Sequence, residues 1–107
     1  VEACHATWLK DHGPLVRSYA DILNMAKYVQ SHTIAPEMNA GFVAGRGLAE
    51  PLDGITEVWI ADPNAGGEPT EKSRKAGAAL VEDEKRFVEM GRSRCFMTKE
   101  HLIFDHM

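Results

Sequence analysis

One tripeptide, His12-Gly13-Pro14, divides the first two dozen residues into two helical pieces. Proline has no N–H for the next helical turn and glycine relaxes the backbone. A helix over residues 2–11 is therefore expected to stop here, and a second to begin with Pro14 in its first turn. In the first piece Cys4, Trp8 and Leu9 share a face. In the second, Leu15, Val16, Tyr19, Ile22 and Leu23 recur at helical spacing, and Asn24 is a reasonable stop. The break also presents a side chain. An imidazole at a helix end can be aimed into a cleft, and it titrates near neutral pH. The competing reading of His12 is a capping or surface residue.

Past Asn24 the period changes. Residues 25–34 alternate as a strand, with Met25, Lys27, Val29, Ser31 and Thr33 on one face and Ala26, Tyr28, Gln30 and His32 on the other. Residues 35–53, with Pro36, Gly41, Gly45, Gly47 and Pro51, read as a long loop, a feature usually functional or mobile. Asp53-Gly54 signals a turn into a second strand over 55–61, where Ile55, Glu57, Trp59 and Ala61 oppose Thr56, Val58 and Ile60. A turn-rich connector over 62–67 precedes a helix over 68–90, expected to be interrupted near Gly77 and ended by Gly91. Its run Glu82-Asp83-Glu84-Lys85-Arg86 is most simply a solvated face. A last strand is expected around Cys95-Phe96-Met97.

This order predicts one α+β domain over residues 1–107, with an antiparallel sheet covered by helices on one face. A βαββαβ unit lacking its first strand gives the same order, so a strand is expected ahead of Val1.

Composition narrows the function. The chain has 107 residues, 44% apolar and 26% charged, with a net charge of -4 and no basic block. Nucleic acid is thus not expected as a partner, because phosphate binding needs clustered Lys and Arg. No apolar run reaches membrane-span length, and no signal-peptide core is present, so no membrane contact and a cytoplasmic location are expected. Cys4 and Cys95 read as two reduced thiols, with a disulfide as the alternative.

Tyr28, Gln30 and His32 at i, i+2, i+4 are the strongest local pattern. A polar-aromatic strand face is unusual in a dry core, since each polar group there needs a partner. It suits a cavity between two sheets; the alternative is a solvated face. Glu57 and Trp59 repeat the mixture on the next strand. An inward Glu57 is a candidate proton acceptor with its pKa raised by burial; otherwise it is a hydrogen-bonded carboxylate or an edge charge. Trp59 reads as a packing wall. The five histidines show no HxxxH or HxH spacing, so no metal site is expected. Neither a phosphate loop nor a GxSxG elbow is present.

Five segments in order resemble the EthD family: Trp8-x-x-x-His12-Gly13-Pro14-Leu15-Val16, Tyr28-Val29-Gln30-x-His32, Asp53-Gly54-Ile55-x-Glu57-x-Trp59, Asp83-Glu84-x-x-Phe87-Val88, and Arg92-Ser93-x-x-Phe96-x-x-x-Glu100-His101. The resemblance implies a ferredoxin-like unit that dimerises through its sheet faces into an α/β barrel. It also implies a first strand before the Trp-bearing helix. Family members include proteins tied to ethyl tert-butyl ether degradation, small muconolactone isomerases, and fungal polyketide dehydratases or decarboxylases. Those that are enzymes typically need no metal or organic cofactor. The muconolactone isomerases carry a Cys beside the strand Trp, where this chain has Val58, so their activity is not carried over.

Taken together, the reading is a homodimeric, cofactor-independent enzyme of lyase, isomerase or dehydratase type. It would act by proton transfer on a small aromatic or lactone-like molecule. His12 is the first choice for the base or acid, with His32 or Tyr28 as partner and Glu57 orienting or sharing a proton. Trp59, Gln30 and His101 are expected to contact the substrate. The alternative is a non-catalytic accessory or ligand-binding protein of a catabolic pathway on the same scaffold. A third reading, a haem-degrading monooxygenase, would require an inward axial histidine.

Overall fold

The computed structural model describes residues 2–61 and 70–107. The expected connector over 62–67 and the expected helix start at Glu68 lie outside the described residues. The chain opens on α1 (Glu2–Thr7), a π-helical turn (Trp8–His12) and α2 (Gly13–Tyr19). Then follow β1 (Met25–His32), α3 (Pro36–Arg46), β2 (Gly54–Ile60), α4 (Glu71–Glu84) and a short 3-10 turn (Met90–Arg92). This is a mixed α+β fold with a two-stranded antiparallel sheet.

The expected break at Gly13-Pro14 does not occur. Thr7, His12 and Gly13 all keep right-handed helical dihedrals, so α1, the π turn and α2 form one continuous helical rod. The Gly13 N–H bonds the Trp8 carbonyl five residues back. That wider turn is how a helix takes in a residue that the regular ladder cannot accommodate. Pro14, having no N–H, is tolerated immediately after it.

The stripe that the rod buries is Trp8, His12 and Val16, at intervals of four. Leu9, expected on the buried face with Trp8, is exposed. Facing the rod is α4, which buries Ala76 and Leu80. Thr70 caps α4 by accepting the Ser73 N–H at 3.1 Å, while the Ser73 hydroxyl returns a bond to the Thr70 carbonyl. The helix runs through Gly77 without interruption.

Residues 36–46 are helical, not loop. Pro36 starts α3, and Gly47 at φ 61° closes it with its N–H on the Val43 carbonyl. Gly41 and Gly45 disguise it in the sequence, and α3 buries no side chain to leave an apolar stripe.

β1 and β2 pair from Met25↔Ile60 to His32↔Gly54, with an irregularity between Met25 and Lys27. Ala26 is the extra residue of that bulge, so Met25 moves to the Tyr28 side of the hairpin. The rest of the alternation is as expected. Tyr28, Gln30 and His32 share a face with Val58, Thr56 and Gly54; Lys27, Val29 and Ser31 share the other with Trp59, Glu57 and Ile55.

No strand forms at Cys95-Phe96-Met97; the tail after Arg92 has no regular element, and Phe96 and Met97 are 76% and 83% exposed. In a βαββαβ sheet the last strand pairs with the first, and the described residues offer no such neighbour. Among the described residues no helix is long and apolar enough to cross a membrane.

Candidate functional site

The helical rod carries a cluster on each of two sides. Against α4, the His12 Nδ1 lies 2.8 Å from Asp83 Oδ2. A carboxylate can only accept, so Nδ1 holds a hydrogen and donates it. His12 is 4% exposed, with Phe87 edge-on to its ring at 5.2 Å. The other Asp83 oxygen takes Arg86 Nη2 at 2.8 Å, and Arg86 also reaches Asp11 at 3.7 Å. Asp83 is therefore held from two sides, which fixes the imidazole that it orients. His12 Nε2 looks toward Glu84 Oε1 at 3.7 Å. Burial pushes the Glu84 carboxyl above its ordinary value; the His12 imidazole pulls it down, and the Asp83 charge adds to the rise.

Against the hairpin lies a chain of neutral polar groups. Gln30 Nε2 donates to the Trp8 carbonyl at 2.8 Å and to the Tyr28 hydroxyl at 3.1 Å. Its Oε1 is then the acceptor facing His32 Nε2 at 2.8 Å, so His32 carries its hydrogen on Nε2. The Trp8 carbonyl accepting this bond is the one the π turn already uses for Gly13. The His32 ring stacks on Trp8 at 4.4 Å and 8°, with His5 4.6 Å away. His5 Nε2 donates to the Asp53 carbonyl at 2.7 Å. Burial, and secondarily the nearby His5, lowers the His32 pKa. Gly54 is required at this contact, because a β-carbon there would strike the Trp8 ring and the Ser31 carbonyl.

The residues singled out in the sequence are thus brought together only in part. Tyr28, Gln30 and His32 do form one network, but the helical rod packs against the Gln30–His32 part of their face of the hairpin. The expectation that this face encloses a cavity between sheets is corrected: Trp8 fills the space beside His32. His12 turns to α4 and meets neither Tyr28 nor His32 among the described contacts. Glu57 and Trp59 lie on the opposite face of the hairpin. Glu57 is exposed there, and Trp59 has Lys27 over its ring at 4.5 Å and donates to Glu100 Oε1 at 2.6 Å. His101 is exposed in the tail and makes no hydrogen bond, ion pair or ring contact among the described residues.

A family model describing the EthD domain matches residues 1–91. The chain belongs to the EthD family. No curated protein and no solved structure matches it. The EthD match takes in both clusters and stops short of the tail that carries Glu100 and His101.

Two residues of the α4 cluster fall inside the charge run 82–86, whose simplest sequence reading is a solvated face. Asp83 and Glu84 are half-buried, and Asp83 is the partner of His12. The signal was present in spacing. Ala76, Leu80, Asp83 and Phe87 follow a 4-3-4 rhythm, which continues the buried stripe through Asp83. In this EthD chain no group of three or more His, Cys, Asp or Glu side chains is placed to hold a metal ion, among the described residues.

Proposed function

We propose that this EthD-family chain is a cofactor-independent acid–base enzyme, of lyase or isomerase type, acting on a small aromatic or lactone-like molecule. The observation that carries this reading is the 2.8 Å bond between His12 Nδ1 and Asp83. A hydrogen fixed on Nδ1 leaves Nε2 with the lone pair of a general base. The carboxylate behind the ring stabilises the imidazolium formed when Nε2 takes a proton.

Glu84 supplies the second proton site. Its side chain is 34% exposed against 5% for His12, so the outer end of the array is a carboxyl whose raised pKa favours holding a proton. His12 removes a proton from an acidic C–H, and Glu84 returns one to the rearranged product. Tyr28 and His32, in the hairpin-side cluster, take no part in the proton transfer in this reading, and neither do Glu57, Trp59 and His101. The uncovered hairpin face of Lys27, Val29, Ile55, Glu57 and Trp59 is the surface through which a homodimer would form.

The test is solvent-deuterium exchange, followed by proton NMR, over a panel of small aryl ketones and lactones. The wild-type protein washes out the acidic C–H signal of at least one member. His12→Gln, which keeps a donor for Asp83, slows that exchange by about 10²-fold or more while ligand affinity is retained. Unchanged exchange in His12→Gln removes His12 from the mechanism. The burial of His12 favours a second reading, a non-catalytic binding protein, which is the outcome if ligands bind and no exchange occurs.

A further inference from the structure

The Tyr28–Gln30 network borders an open cleft of about 630 Å³ between the helical rod and β1, with no residue of α4 in its lining. Leu9, Val16 and Met25 give it apolar walls; Met25 is there because the bulge at Ala26 turned it inward. The volume is in the range of small-molecule sites.

Its charge is the informative property. The protein has 16 acidic and 12 basic side chains, yet no Asp or Glu lines this cleft among the described residues, while Arg17 and Lys27 do. Lys27 is engaged over Trp59 on the far face. Arg17 is exposed and makes no ion pair among the described residues. The second donor is Tyr28. Its hydroxyl accepts from Gln30, and its own hydrogen has no acceptor among the described residues.

We propose that this cleft binds a small aromatic carboxylate. The ring would lie against Leu9, Val16 and Met25, the Arg17 guanidinium would take the carboxylate, and the Tyr28 O–H would donate to an oxygen of the ligand. A planar guanidinium suits a carboxylate because two parallel N–H donors match its two oxygens. The proposal goes beyond the acid–base reading, since it holds whether or not the bound molecule is turned over.

Titration calorimetry with 2-naphthoate and its neutral isostere naphthalene-2-carboxamide tests it on the whole chain. The carboxylate binds about tenfold or more tighter than the carboxamide, as expected for a charge-assisted pair, and the gap narrows in high salt. Arg17→Gln removes the preference and leaves carboxamide binding in place. Tyr28→Phe weakens both ligands, and Lys75→Gln, which removes an exposed charge on α4 outside the cleft, weakens neither. Equal affinity for the two ligands, a preference that survives Arg17→Gln, the same loss of preference in Lys75→Gln, or no naphthoate binding by the wild-type protein would each overturn the proposal.

Discussion

His12 Nδ1 and Asp83 Oδ2 meet at 2.8 Å although 71 positions separate them in the chain. The contact fastens α4 to the helical rod and also sets which nitrogen of the buried imidazole carries the hydrogen. Replacing Asp83 by Asn keeps the size and removes the charge. Exchange activity is expected to fall by about 10²-fold or more, because an imidazolium then forms against a neutral amide. Stability falls by roughly 1–3 kcal/mol, since Arg86 also loses the nearer of its two carboxylates. Urea unfolding beside the exchange assay separates the two effects.

Glu84 gives a stability change with a definite sign. Its pKa is raised above the ordinary 4.5, so the folded protein prefers the protonated carboxyl. That contribution is full below the ordinary value and is lost as pH rises through the folded one. Glu84→Gln removes the loss. The variant should match the wild type near pH 4 and unfold at a higher temperature than the wild type at pH 8. Thermal melts at both values decide it; a variant less stable at pH 8 contradicts the assignment.

His32 works in the opposite direction. Its lowered pKa leaves it neutral in the folded state where the unfolded chain already binds a proton. The stability involved is complete above 6.5 and declines as pH falls through the folded value. His5→Gln keeps a donor for the Asp53 carbonyl and removes the neighbouring imidazole. An NMR titration should show the His32 pKa rising, but not fully to its ordinary value, because burial is the larger cause.

Gly54→Ala tests the seat of Trp8. The added methyl meets the indole ring and the Ser31 carbonyl. The backbone cannot give way without breaking the His32↔Gly54 pair. A loss of about 1–3 kcal/mol is expected in urea unfolding, together with a change in the tryptophan emission. A silent substitution would mean that Trp8 sits elsewhere.

The hairpin is legible in the sequence because strand alternation has a period of two: the Tyr28–Gln30–His32 face of one strand and the Glu57–Trp59 face of the next are readable residue by residue. What alternation did not reveal was which face the helix covers, and so Glu57 was placed with His12 when the pleat keeps them apart. Gly13-Pro14 misled for a different reason: a π turn absorbs a proline that a regular helix rejects. Asp83 was hidden by its neighbours, since a buried acid within Glu82-Asp83-Glu84-Lys85-Arg86 looks like its solvated companions until the spacing from Ala76 and Leu80 is counted. The strand at Phe96 failed because a strand needs a partner edge, a property of the sheet and not of the segment.

The central claim is that Asp83 holds His12 with its hydrogen on Nδ1 and its lone pair on Nε2. A long-range proton–nitrogen correlation spectrum of the imidazoles reads this directly at a pH where His12 is neutral. The account predicts a pyrrole-type Nδ1 and a pyridine-type Nε2 for His12 in the wild type, with that pattern weakened or reversed in Asp83→Asn. A neutral His12 protonated on Nε2 in the wild type would contradict it.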